Sequence, residues 1–332
     1  METRKVQVTG GSTYTVSLPK DWATTNDVSA GSIVEFHSED DLLVLTPKDE
    51  DDHTEGSLDI GGLTGDDELT RAVMTMYVSG FDVITLETDR ISAKQRRIIR
   101  DATQGLVGLE VIEETSERVV LQDLLDSAEL SVNNAITRMR LVSLTMLQDA
   151  VEALVEDDDE LAHDVIERDD DVDRLWYMVS RVFRTILRDP SEAAEMGFPR
   201  DTCFDFQSSA RQLERVADHA TKIAELALEV DAIPENAADP LWRLQDEAVE
   251  VPETAMDALL SDDSDEAVEL ATEARTQIDQ VEGTVREVDK EIRQFEPQKA
   301  QVLGLVVDSL SRTADYGGNI AESALQKAAP RP

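Results

Sequence analysis

The sequence predicts a multidomain protein: a small N-terminal β unit, a small α/β unit, and an all-α remainder built as two tandem three-helix bundles. Three observations carry this. Leu213 to Glu225 reads LERVADHATKIAE and Leu310 to Glu322 reads LSRTADYGGNIAE, so Leu213, Arg215, Ala217, Asp218, Ile223, Ala224 and Glu225 recur at a constant offset of 97 residues. An offset of that size marks a duplicated unit of domain length, longer than the repeats of most solenoid arrays. The apolar pattern also changes along the chain, from short alternating runs broken by glycines to steps of three and four from Gln122 onward. Finally, 332 residues are too many for one compact core.

Taken in order, Val6 to Thr9, Tyr14 to Leu18, Ile33 to Phe36 and Leu42 to Thr46 read as short strands, punctuated by Gly10-Gly11 and Ala30-Gly31. Four such strands, in a first unit of residues 1–48, make a thin core that needs a partner. Asp49 to Glu55 reads as an acidic linker. In residues 56–121, β-like Leu58 to Ile60, helical Asp66 to Ser79, strand-like Val83 to Glu87, helical Ala93 to Gln104, and β-like Leu109 to Glu113 and Arg118 to Leu121 alternate as in a small α/β domain. Neither GxxxxGK nor GxGxxG occurs, so no phosphate-cradling loop is expected. The densest basic set, Lys94, Arg96, Arg97 and Arg100, reads as a solvated helix face or as a nucleic-acid contact, the solvated face being the simpler account.

The helical part divides at Ile233-Pro234 into residues 122–230 and 237–328. Its first helix carries a seam of Ala128, Val132, Ala135, Met139, Val142 and Met146. The second carries Leu161, Val165, Val172, Leu175, Val179, Val182 and Ile186, interrupted at Arg168; the third carries Leu213, Val216, Ala220, Ile223 and Ala227. Pro190 and Pro199 bracket the link before the third helix, and Pro297 opens its counterpart.

Composition bounds the setting. A formal net charge of −41, from 72 acidic against 31 basic residues, is spread along the whole chain. Self-repulsion on that scale is relieved by concentrated salt, which points to a molar-salt, halophilic cytosol; specific cationic partners are the alternative. The single cysteine, Cys203, allows no internal disulfide and no cysteine-rich zinc site, and it reads as a buried structural thiol. There is no signal-peptide core and no apolar run near the length of a membrane span, so a cytoplasmic protein is expected. His219 reads as a helix-surface residue, with a metal-ligand or pH-sensitive role as the alternative. No Ser-His-Asp wording, nucleotide loop or histidine-rich metal motif is present, so an enzyme is not expected.

The first 47 residues resemble the swapped-hairpin domain of the AbrB, MazE and SpoVT type. The resemblance rests on the Ser12 to Leu18 strand, Pro19-Lys20, the Val28 and Gly31 turn, and the Leu42 to Leu45 strand. It implies two chains interleaved into one barrel, hence a homodimer, and in many members DNA binding through residues such as Arg4, Lys5 and Lys20. Charge argues for dimerisation first: Arg4, Lys5, Lys20 and Lys48 face seven acidic residues in this segment, whereas DNA binding depends on neutralising phosphates.

The helical part resembles the PhoU family, whose members are built from two three-helix repeats. The family's third helix carries a phrase of the form E-R-x-x-D-x-x-x-x-I-x-E. Glu214, Arg215, Asp218, Ile223 and Glu225 match it fully; Arg312, Asp315, Ile320 and Glu322 match in the second copy, where Ser311 replaces the glutamate. The resemblance implies a negative regulator of high-affinity phosphate uptake that acts by contact with the phosphate transporter's ATPase component. The rival is a DNA-binding regulator of phosphate-responsive genes that uses the N-terminal unit. The resemblance also implies metal binding on acidic i,i+4 pairs: Glu214 with Asp218 and Asp169 with Asp173 in the first copy, Asp279 and Asp315 in the second. Residues four apart share a helix face, and oxygen-only donors favour Mg, Ca or Mn, with iron by family analogy. Arg275 stands where Asp169 does and Ser311 where Glu214 does, so one strong site at most is expected. At 100° per residue, Glu214 and Asp218 fall away from the apolar seam and are expected to face out of the bundle.

Overall fold

A computed structural model describes residues 2–39, 42–48, 54–125, 131–189, 193, 199–230 and 233–330. It comprises two compact units, Met1–His53 and Thr54–Pro332. Residues 49–53 of the expected linker, Ala128 and Pro190 lie outside the described residues.

In the first unit, β1 (Gln7–Thr9) pairs antiparallel with β2 (Thr13–Thr15), and β3 (Val34–Glu39) with β4 (Leu42–Pro47), as two separate two-stranded sheets. Gly10 and Gly11 turn the first hairpin at φ +65° and +83°, a region open to glycine and strained for other residues. β2 stops at Thr15, short of the expected strand end at Leu18, and between the hairpins the chain forms α1 (Lys20–Thr25), with Pro19 at its N-cap. None of this unit's described side chains is buried. Val8, Tyr14, Ile33, Phe36, Leu42 and Leu43 all lie exposed, so the hairpins bring no core of their own.

The second unit opens with β5 (Glu55–Asp59), three residues earlier than the sequence suggests. α2 (Asp66–Val78), β6 (Val83–Glu87), α3 (Ala93–Gln104), β7 (Leu109–Glu114) and β8 (Arg118–Asp123) follow. The sheet order is β5-β6-β8-β7; β5 and β6 are parallel, joined through α2 as a crossover, and the other pairs are antiparallel. Leu69, Val73 and Tyr77, one turn apart on α2, pack with Ile98 and Ile99 of α3 and with Ile84, Leu86, Val119 and Leu121 of the sheet. α3 starts at a reciprocal cap: Gln95 N–H donates to Ser92 Oγ (3.2 Å), and Ser92 N–H donates to Gln95 Oε1 (3.0 Å). The basic set on α3 is largely answered within the fold. Lys94 pairs with Asp66 (2.6 Å), and Arg96 and Arg100 both grip Glu114, whose carboxyl is held below its ordinary range first by Arg100 and then by Arg96.

Gln122 and Asp123 still belong to β8, so the helical part starts later than the apolar periodicity suggests. Its long helices are α4 (Val132–Glu156), α5 (Asp159–Arg188), α6 (Arg200–Glu229), α7 (Glu235–Leu260), α8 (Ser264–Ile292) and α9 (Pro297–Ala328). Ser131, Asp158 and Asp263 cap α4, α5 and α8 with side-chain oxygens, and Pro297 is the first residue of α9. Arg168, the break in the second seam, pairs with Asp149 of α4 (2.6 Å) and with Asp164 (3.0 Å). One continuous aliphatic core runs through all six helices, including Val132, Met139, Met146, Val165, Val179, Leu213 and Ile223.

The two copies meet along α6 and α9. His219 and Tyr316, equivalent under the 97-residue offset, touch: Nε2 lies 3.2 Å from the phenol oxygen and the ring centroids are 5.6 Å apart. Contact between equivalent residues on helices that run in opposed directions is the arrangement a local two-fold axis produces. Gln212 reaches Asn319 (3.1 Å) on the same seam, which places the helices in opposed directions about that axis. His219 is therefore half-buried at the axis, and is not the plain surface residue the sequence suggests. Burial, Lys222 and Arg312 hold its imidazole below the ordinary range against the pull of Asp308.

Arg181 of α5 binds the α/β layer to the bundle. It is 5% exposed. It donates to the Tyr77 and Phe81 carbonyls (2.9 Å each), to Asp82 Oδ1 (2.7 Å) and to Asp123 Oδ2 (2.8 Å), and it lies over the Tyr77 ring at 5.0 Å.

Candidate functional site

α5 and α6 pack side by side and bring the four first-copy carboxylates into one electrostatic neighbourhood. Asp169 and Asp173 stand one turn apart on α5, as Glu214 and Asp218 do on α6. Burial pushes the Asp169 carboxyl up to about 6, with Asp173 and Asp218 adding to it. Burial, followed by Asp218, pushes Glu214 up to about 7. Asp173 is raised by burial first, with Asp218 and Asp170 adding to it against the Tyr177 hydrogen bond, whereas Asp218, at the exposed edge of the set, is raised by partial desolvation alone, against Arg211 and Arg215. Asp169, Asp173 and Glu214 each feel a neighbouring carboxylate, the signature of like charges crowded in a poorly solvated place.

Three groups that the sequence reading did not single out frame this set. Arg211 pairs with Glu214 Oε1, and its guanidinium lies over the Trp176 ring at 5.3 Å. The Tyr177 hydroxyl donates to Asp173 (3.2 Å). The second oxygen of Glu214, Oε2, is buried with no hydrogen-bond partner among the described residues. An orphaned buried carboxylate oxygen is costly.

Glu214 corrects the expectation that this pair faces outward: it is 8% exposed, whereas Asp218 is exposed. The reason is packing. α6 is held between α4, α5 and α9, so less of its circumference meets solvent than a single apolar seam implies. In the second copy, Asp279 stands exposed on α8, and Asp315 is exposed on α9, where it pairs with Arg312 (3.4 Å); Arg275 is taken up by Glu322 (3.2 Å). Among the described residues, no set of three or more histidine, cysteine or acidic side chains stands ready to hold a metal ion. The first-copy acids suit a hard cation by donor chemistry and by the orphaned Glu214 oxygen, but they do not form a closed coordination shell.

Of the basic residues expected to reach DNA, Arg4 pairs with Glu2 (2.7 Å), while Lys5 and Lys20 are exposed; Lys48 pairs with Glu35 (2.8 Å). Cys203 is buried, and burial pushes its thiol up to about 12, the behaviour of a structural cysteine. No helix among the described residues is long and apolar enough to cross a membrane.

Asp205, near the start of α6, gives a pH-dependent prediction. It is buried, and burial followed by Asp201 raises its carboxyl to about 6, against an opposing pull from Lys327. A carboxyl raised in the folded state favours folding in full below its ordinary value, and that contribution is lost as pH rises through 6. Asp205→Asn is therefore expected to stabilise the fold by on the order of 2 kcal/mol at pH 8 and to have little effect at pH 4. Paired denaturant melts at the two pH values check this; an equal effect at both would exclude it.

A two-layer α/β unit joined to doubled three-helix bundles, with an acid cluster in the first copy, defines the class. Residues 136–227 match the family model of the PhoU domain, and residues 7–52 match that of "Antidote-toxin recognition MazE, bacterial antitoxin". The PhoU-domain match lies within the helical part, and the MazE-type match lies within the first unit. Among solved structures it is similar to PhoU from Pseudomonas aeruginosa, at 21% identity and a TM-score of 0.52, over 60% of this chain and 96% of that one. It is also similar to the phosphate transport system regulatory protein PhoU from Streptococcus pneumoniae, at 20% identity and a TM-score of 0.45, over 58% of this chain and 91% of that one. At such identities the Pseudomonas likeness speaks to the fold. No curated protein matches the chain.

Proposed function

We propose that this protein is a cytoplasmic, non-enzymatic regulator of phosphate transport that restrains high-affinity uptake through contact with the transporter's ATPase component. The observation that carries the reading is the doubled third-helix phrase, complete at Glu214, Arg215, Asp218, Ile223 and Glu225 within the segment that matches the PhoU domain. Deleting the protein is expected to leave phosphate uptake high in phosphate-rich medium. Affinity purification in molar potassium chloride is expected to recover the ATPase. Uptake that stays repressed, with no ATPase recovered, would refute the reading.

The N-terminal unit acts in this reading as a homodimeriser. Its described residues bury nothing, and its apolar side chains lie bare on both hairpins; isolated two-stranded sheets are marginal in water. A second copy supplies the missing core. Val8→Asp with Phe36→Asp is expected to turn a dimer into a monomer in sedimentation equilibrium. The rival reading, promoter binding through Arg4, Lys5 and Lys20, predicts that replacing these three abolishes promoter retention while dimers persist. Their surroundings favour the dimer, because two of the unit's four basic residues are paired with acids.

The acid cluster of α5 and α6 would hold one hard divalent cation, Mg, Ca or Mn, or iron. Asp169, Asp173, Glu214 and Asp218 would supply its oxygens, and the orphaned Glu214 oxygen is the local support. Asp279 and Asp315 would not form a second site of equal strength. Elemental analysis and Mn²⁺ titration test this.

A further inference from the structure

The two helical copies supply an internal comparison for every exposed position. Under the offset of 106 residues that carries Asp173 onto Asp279, the buried residues of α5 recur on α8: Val165 as Ala271, Val182 as Val288 and Ile186 as Ile292. The stripe of α5 that borders α6 does not recur. Trp176, Phe183 and Leu187 give way to Glu282, Asp289 and Arg293, and Phe204 of α6, under the 97-residue offset, gives way to Gln301 of α9. On α8 this side is solvated: Glu282, Arg286 and Arg293 lie exposed, and Arg286 pairs with Glu282 at 3.1 Å. A three-helix copy therefore closes its core with charged residues at these places.

In the first copy the same places are aromatic, aliphatic and basic. Phe183 meets Phe204 across α5 and α6 with ring centroids 6.0 Å apart, and Arg211 lies over Trp176, so the two helices run in opposed directions here. Leu187 is 54% exposed and Phe204 52%, so the core beneath does not explain them. From Arg174 to Arg188, α5 holds four arginines and no acid, in a chain with 72 acidic against 31 basic residues. Arg181 is the buried clasp to the α/β layer, and Arg188 donates to the Gly80 carbonyl (2.8 Å). Arg184, exposed one turn before Leu187, makes no ion pair among the described residues. The nearest acids in sequence, Asp189 and Asp201, stand at the ends of the two helices, outside the run.

We propose that Phe183, Arg184, Leu187 and Phe204 form a docking surface for an acidic amphipathic helix of another protein. The valley between two antiparallel helices receives a partner helix through apolar residues spaced at i, i+3, i+4 and i+7. Aromatic residues and arginine are the ones that most often carry binding energy at an interface. Charge selects the occupant, because an acid-free, arginine-bearing patch on a chain of net charge −41 is complementary to acidic side chains. A second copy of the chain fits less well, since a two-fold contact would bring Arg184 towards its own equivalent. Nucleic acid fits less well too, since the bare Leu187 side chain has nothing to offer a phosphate backbone. The surface is separate from the acid cluster and from the N-terminal hairpins, and the inference does not depend on which protein is regulated.

The test uses the full chain with the photo-cross-linker p-benzoylphenylalanine in place of Leu187, irradiated in the cells that make the protein. Mass spectrometry of the joined peptides is expected to show a segment of another protein with apolar residues at helical spacing and aspartate or glutamate beside them. That segment, synthesised with a fluorescent label, is then titrated with full-length protein by anisotropy. Phe204→Asp is expected to weaken binding at least about tenfold, as for loss of an aromatic anchor. Arg184→Glu is expected to weaken it about tenfold, and exchanging the peptide's facing acid for lysine to restore it. Gln301→Asp, the same change at the matching place in the second copy, leaves binding unaltered. Should Phe204→Asp lose helical circular dichroism, Leu187→Asp takes its place with the same expected loss. Cross-links confined to this chain, to nucleic acid or to nothing overturn the proposal, as does a peptide that binds wild type and the Phe204, Leu187 and Arg184 variants alike.

Discussion

Replacing Arg181 with methionine is expected to destabilise the second unit by about 3–5 kcal/mol, the range for breaking a buried ion pair by removing one partner. The aliphatic stem would be kept and the charge lost. Asp123, whose side chain is 6% exposed, would be left as a buried carboxylate without its guanidinium, and the Tyr77 and Phe81 carbonyls would each lose a donor. Lysine should rescue little, because one ammonium cannot reproduce a fork that serves two carbonyls and two carboxylates in different directions. The contacts join α5 to the end of α2, to the turn before β6 and to the end of β8, so the loss should loosen the α/β layer from the bundle before the bundle itself melts. Hydrogen exchange is expected to show lost protection in residues 77–82 and 119–123 with the α6 core unchanged. Adding Asp123→Asn to Arg181→Met should recover part of the loss, since the stranded charge is then gone, and a double-mutant cycle measures the coupling. An effect below about 1 kcal/mol for Arg181→Met would mean that the network is solvated.

What the sequence made legible, and what it hid, follows from which interactions are local. The steps of three and four in each seam and the prolines at helix starts act within a few turns of chain and placed the long helices well, and the 97-residue offset showed that the pattern is duplicated. Short elements fared worse. α1 is only six residues long, too short for a helical period to show, and the sequence reading assigns no element there. Gln122 fits the helical spacing by accident, while strand pairing with Val83 decides its place in β8. In the site, the i,i+4 acids were visible as pairs, and the structure brings the two first-copy pairs together. The burial of Glu214 was hidden, because it depends on three helices closing around α6. The contacts of Tyr316 and Arg181 were hidden for the same reason: their partners, His219 and the Tyr77 and Phe81 carbonyls, lie about a hundred residues away in sequence.

Gly317→Val is expected to cost at least about 3 kcal/mol, by forcing apart two packed helices. In DYGGNIAE the first glycine lies where α9 meets α7. A Cβ at that position would stand 2.6 Å from the Pro252 nitrogen, 2.8 Å from Val251 Cγ1 and 2.9 Å from Pro252 Cδ. Two of those atoms belong to a proline inside α7, a ring with no rotamer by which to retreat, so α7 itself would have to move. Gly317→Ala should still destabilise by about 2 kcal/mol, the clash outweighing the roughly 1 kcal/mol that alanine gains over glycine within a helix. The next residue separates close approach from helix propensity. A Cβ on Gly318 meets only the tip of Ile278, at 2.7 Å, which can swing aside, so Gly318→Ala should stay within about 1 kcal/mol of wild type. At Gly304 a Cβ meets nothing within 4 Å, and Gly304→Ala should stabilise the same helix by about 0.5–1 kcal/mol. Chemical melts of the four variants should therefore order them Gly304→Ala, wild type, Gly318→Ala, Gly317→Ala and Gly317→Val from most to least stable. A Gly317→Ala protein as stable as Gly304→Ala would mean that α7 and α9 lie farther apart than 2.6 Å implies, and the doubled glycine would then have no packing reason.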